Sequence, residues 1–140
     1  MMLARTGLQP QEALVCTMVL VAVADAGMSD REIGVMSAQV QTLPAFRNFS
    51  TEQLDHATET AVTLLGEEDG LSHAARLIRD ALEPRLRETA YALACEVIAA
   101  EHHPSQAALQ MLEFVATELH LDPLVASAIK RGVRARYQAI

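Results

Sequence analysis

Residues 13–24 read ALVCTMVLVAVA, twelve positions without a charge and with Thr17 as the one hydroxyl. As a helix this run would extend roughly 18 Å, well short of the ~30 Å hydrocarbon core of a bilayer. Arg5 upstream and Ala22-Val23-Ala24 at the end imitate a secretory leader and its cleavage site. Pro10 and Glu12 sit immediately ahead of the run, however, and a similar apolar run recurs later in the chain. The run is therefore expected to be a central core helix, apolar nearly all round, rather than a leader or an anchor. Pro10 suits its first position and Gly27 its end.

Working outward, the chain is punctuated in the manner of successive helices. Ser29-Asp30-Arg31-Glu32 is a capping box, and Ser50 to Gln53 repeats the pattern. Ile33, Met36, Val40 and Leu43 lie at helical spacing ahead of Pro44, and residues 45–49 read as an irregular link. Gly66 closes a third helix, and Glu67, Glu68 and Asp69 place negative charge at the start of a fourth. Ala74, Leu77, Ile78 and Leu82 form the apolar side of that fourth helix. Pro84 opens a fifth, with Leu86, Ala90, Leu93, Ala94 and Val97 inward, running to about Glu101. Ser105 caps a sixth, and Asp122-Pro123 starts a seventh that carries Leu124, Ile129, Val133 and Tyr137. The fold class is all-α: a compact bundle of about seven helices in a single domain over residues 1–140, with its core in about 11–137.

Composition agrees. Half of the 140 residues are hydrophobic, but Phe and Tyr total five and Trp is absent, so the core is aliphatic. No Asn-Gly or Asp-Gly pair flanked by alternating apolar residues marks a hairpin. The net charge is −7, and all 18 acidic residues lie in 1–122, so nucleic acid is a poor partner. Lys130, Arg131, Arg134 and Arg136 reverse the sign in the last helix, where cations offset the helix dipole. Lys130 is the sole lysine; the Arg and Ala bias suggests a GC-rich bacterial genome. Cys16 and Cys95 both fall in apolar runs and read as small core residues.

Residues 15–43 align with residues 91–119 at a constant offset of 76. Each block holds an apolar helix, an acidic turn, a Ser cap and a second amphipathic helix. Ile33, Met36, Val40 and Leu43 fall on Leu109, Leu112, Ala116 and Leu119, Ser29 on Ser105, and Asp25 on Glu101. A pseudo-twofold internal duplication is expected.

The segment Ala24-Asp25-Ala26-Gly27-Met28-Ser29-Asp30-Arg31-Glu32 resembles the TerB family of tellurite-resistance-associated proteins. In that family an apolar helix ends in Ala-Asp, a glycine turn follows, and a Glu opens the next helix, in two related copies. Gly27 stands one place later than the usual glycine. The second copy reads Ala100-Glu101-His102-His103-Pro104-Ser105, with Glu101 in the Asp place and Ala108 in the Glu place. The resemblance covers about residues 11–137. It implies a helical fold, an acidic surface proposed to bind metal cations, and a role in tellurite resistance or related stress responses.

The metal-ligating candidates are Asp25, Glu32 and Glu101, with His102 and His103 beside them. Carboxylates suit Ca²⁺ or Mg²⁺, and participation of either histidine would shift the preference toward Zn²⁺. Plain turn chemistry competes with this reading, because Glu32 is already explained as a capping-box residue. Glu96 is expected at a solvated edge, away from the Glu101 face. His56 and His73 are expected on helix surfaces, without a nucleophile beside them. With the serines occupied as caps and no phosphate-cradling loop, an enzyme is not expected. The expectation is a cytoplasmic, non-enzymatic accessory protein of the tellurite-resistance or stress-response type. It would bind a divalent cation through its acidic inter-helix turns. The alternative is a metal-free helical module for protein–protein interaction. A protein partner is expected, a second copy of the chain included; nucleic acid and membrane are not.

Overall fold

The computed structural model describes residues 7–24, 27–101 and 103–140. Among these the chain is all-helical, in seven α-helices: α1 (Pro10–Ala24), α2 (Asp30–Thr42), α3 (Thr51–Leu65), α4 (Gly70–Ala81), α5 (Pro84–Ala99), α6 (Gln106–Glu118) and α7 (Pro123–Arg136). A short 3₁₀ turn, Pro44–Phe46, replaces the irregular link, because Pro44 stops α2 while its fixed φ still permits a tight turn. No helix among the described residues is long and apolar enough to cross a membrane.

α1 is the axis of the bundle. Every residue from Ala13 to Ala22 is buried, and α2, α3, α4, α5 and α6 all pack against it. A helix enclosed on all sides needs no polar face, which is why the run lacks one. Its single buried hydroxyl, Thr17, donates to the Ala13 carbonyl at 2.8 Å, so no polar atom is stranded. α5 packs along α1 and α7 along α5, with Ala90, Leu93, Ala94 and Val97 of α5 and Ala126 and Val133 of α7 buried.

The helix ends are closed by side chains. Ser29 and Ser50 complete reciprocal capping boxes with Glu32 and Gln53, Ser105 accepts from the Ala108 amide, and Asp122 accepts from those of Leu124 and Val125. At the other ends, Arg87 donates to the Arg79 and Leu82 carbonyls at the close of α4. Arg79 donates to the Glu118 carbonyl at the close of α6. α6 finishes in a Schellman arrangement, the Leu121 amide on the Ala116 carbonyl, with His120 in the left-handed region at φ 57°.

Three surface expectations change. Ile33 is 45% exposed and Leu124 82% exposed, so neither belongs to the buried stripe of its helix; both sit near the start of their helices, where no neighbouring element covers them. Asp69 makes no side-chain cap for α4 but takes the left-handed region at φ 55°, the backbone reversal being made by conformation rather than by its carboxylate.

Candidate functional site

The two inter-helix turns meet. The connection from α1 to α2 and the connection from α5 to α6 lie side by side because α1 and α5 pack along each other, and α2 also packs on α5. Across the seam the Ser29 hydroxyl donates to Glu101 Oε1 at 2.5 Å. Ser29 Oγ itself accepts the Glu32 amide at 3.1 Å, while Glu32 Oε1 accepts the Ser29 amide at 2.8 Å. Ser29 thus caps its own helix and holds the carboxylate of the other turn, 72 residues away. Glu32 is 1% exposed and Glu101 half-buried, so one carboxylate lies within the protein and the other at its edge.

Of the five candidate ligands, Glu32 and Glu101 are therefore brought together through Ser29. His103 is exposed at the turn, and Asp25 and His102 lie outside the described residues. No group of three or more His, Cys, Asp or Glu side chains among the described residues is gathered as a metal site. The two carboxylates that Ser29 links, through its amide to Glu32 and through its hydroxyl to Glu101, offer oxygen donors, the type that suits a hard cation. The second turn is capped from one side only: Ser105 accepts the Ala108 amide at 3.0 Å, and Ala108 has no carboxylate to return the bond.

α2 and α6 span Asp30–Thr42 and Gln106–Glu118, with both ends displaced by the same 76 residues that relate the sequence blocks. Their caps, Ser29 and Ser105, and their closing residues, Leu43 and Leu119, keep that spacing too. Ile33 and Leu109 share a further property: each is exposed, at 45% and 36%, one turn into its helix.

Glu96 corrects the expectation of a solvated edge. It is 5% exposed, and Oε2 accepts the Tyr137 hydroxyl at 2.6 Å while Arg136 Nε lies 3.5 Å from Oε1. It faces α7 and fastens the end of that helix onto α5. Burial, then the bond to Glu96 and its negative charge, push the Tyr137 hydroxyl up to about 12, with Arg136 opposing. On the same helix Tyr91, and Cys95 immediately before Glu96, are both buried. Burial pushes the Cys95 thiol up to about 11, against opposing contributions from its hydrogen bond with Tyr91 and from the Lys130 charge. At neutral pH it is a neutral thiol and a weak nucleophile. Cys16 is buried as expected.

Compared with known proteins, the chain matches no family model, no curated protein and no solved structure.

Proposed function

We propose that this chain is a TerB-like accessory module, non-enzymatic and cytoplasmic, that binds a hard divalent cation where its two inter-helix turns meet. The observation that carries the reading is the bond from Ser29 to Glu101. It joins the turn that opens with the Ala-Asp motif to the turn that stands in the place of its second copy. Glu101, Glu32 and the Ser29 hydroxyl would hold the ion, together with Asp25, which the resemblance places in the same turn. The ion would supply positive charge between helix ends that otherwise hold carboxylates at close quarters. A role in tellurite resistance or a related stress response follows from the resemblance alone.

The test is a thermal-unfolding scan of EDTA-treated protein with Ca²⁺, Mg²⁺, Mn²⁺ or Zn²⁺. A ligand that binds only the folded state adds roughly 2.7 kcal/mol at 100 times its dissociation constant. Ca²⁺ or Mg²⁺ is expected to give a saturable rise in midpoint that Glu101→Gln and Asp25→Ala each abolish. Absence of a shift with every cation sinks the metal reading. It would favour the second reading, a metal-free protein-binding module, for which the exposed Ile33 and Leu109, at equivalent places in α2 and α6, are the specific support.

A further inference from the structure

A groove of about 270 Å³ runs between α5, α6 and α7 and reaches the inter-helix seam at Glu101. Its lining is apolar at Ile98, Leu109, Leu112 and Val133 and carries the cations Lys130 and Arg134, with Glu101, which accepts the Ser29 hydroxyl, as its carboxylate. Among the described residues neither cation has a hydrogen bond or ion pair with an acidic side chain, although the chain holds 18 acidic residues against 11 basic ones. The nearby buried carboxylate, Glu96, is already engaged by Tyr137 and Arg136.

The helix dipole accounts for only part of this. Arg134 and Arg136 lie in the last turn of α7, where cations are favourable, but Lys130 stands before that turn, where the effect has faded. Lys130 and Arg134 are also four residues apart on one helix, a like-charge spacing that is mildly destabilising. Lys130 is moreover half-buried rather than fully solvated. Two cations without an acidic partner, against the one lining carboxylate Glu101 that Ser29 already engages, leave an otherwise apolar groove with an excess of positive charge in a protein of net charge −7, a complementary site for an amphipathic anion.

We infer that this groove binds a free medium-chain alkyl carboxylate, its head between Lys130 and Arg134 and its chain along Ile98, Leu109, Leu112 and Val133. The size agrees: the volume is just under the ~300–1,000 Å³ usual for small-molecule sites, room for about ten heavy atoms at roughly 30 Å³ each. Octanoate is a ligand of that size. Loss of a charge-assisted contact to its head weakens binding about tenfold or more.

Octanoate, octan-1-ol and octyltrimethylammonium would each be titrated calorimetrically into the full chain, below their aggregation concentrations. Methyl NMR of Ile98, Leu109 and Val133 would report the location. Octanoate is expected to bind saturably at one site, shift those methyl signals, and weaken at least tenfold in Lys130→Ala/Arg134→Ala. The alcohol and the cationic analogue should bind at least tenfold more weakly than octanoate. The single variant Arg134→Gln, at an exposed position, gives the same comparison with a smaller loss if the double variant is poorly folded. The inference is overturned if octanoate shows no saturable binding at millimolar concentration. Equal affinity in the charge variants, equal affinity for the cationic analogue, or methyl shifts elsewhere in the bundle would also overturn it.

Discussion

At Gly70 the absence of one methyl group fixes the junction between α3 and α4. A Cβ there would lie 2.4 Å from the Leu64 carbonyl oxygen and 2.8 Å from that of Leu65, both backbone atoms that cannot swing aside. Gly70→Ala should therefore cost about 1–3 kcal/mol in urea denaturation, the range for forced overpacking. Gly34, inside α2 with nothing near its missing side chain, should show the opposite sign, Gly34→Ala gaining roughly 0.5–1 kcal/mol. Cys95 gives a prediction in pH. Its thiol is raised from 9.0 to about 11 in the fold, so the native state keeps a proton that the unfolded chain releases. The associated stability is complete below about pH 9 and lost as pH rises to about 11, on the order of 2 kcal/mol. Cys95→Ala should flatten that part of the alkaline stability curve; an unchanged slope would show that the thiol is not its source. Glu96 marks the limit of reading at this scale. Local sequence gives a lone carboxylate in an apolar helix, and its burial depends on Tyr137, 41 residues away.

At the scale of elements the chain was largely legible, because its helix boundaries are written in local chemistry. Pro10, Pro84 and Pro123 open helices, Ser29, Ser50, Ser105 and Asp122 cap them, and six of the seven helices start where those signals lie, α4 alone lacking one. The exposed ends of the stripes were not legible, since Ile33 and Leu124 satisfy the periodicity of a buried face and only the neighbouring elements decide whether a first turn is covered. The seam between turns was half legible: the offset of 76 aligned Asp25 with Glu101, but nothing local says that Ser29 reaches across. That contact can be weighed. Ser105→Ala should cost about 1 kcal/mol, the ordinary value of a cap. Ser29→Ala should cost about 1 kcal/mol more, because it also removes the partner of a half-buried carboxylate. In a double-mutant cycle with Glu101→Gln, a coupling energy above about 0.5 kcal/mol is expected for Ser29 and none for Ser105. Equal costs for the two serines would mean that the seam contributes nothing.

For the molecule as a whole, stability is concentrated on α1. Five helices share it as their common partner, so none of them keeps its buried face once it leaves. Met18, at 0% exposure near its middle, should lose about 2–5 kcal/mol on replacement by Ala. Unfolding followed by far-ultraviolet circular dichroism and by tyrosine fluorescence should coincide in wild type and variant alike. Tyr91 sits on α5 and Tyr137 at the end of α7, so the fluorescence reports the side of the bundle away from α3. Separate transitions would divide the bundle into independently unfolding parts.

The placement of that axis early in the chain has a consequence for biogenesis. The partner that accompanies α1 most closely, α5, ends at Ala99, 75 residues after Ala24. At roughly 5–20 residues per second, a ribosome needs about 4–15 s to cover that distance. Throughout that interval the most apolar segment of the protein has left the peptidyl-transferase centre without the full surface that will enclose it. A nascent chain halted before Pro84 has α2, α3 and α4 to set against α1 but leaves uncovered the apolar side that α5 and α6 take, a substrate for holdase chaperones and a seed for aggregation. For this protein, the pace of translation between Ala24 and Ala99 is itself a determinant of yield.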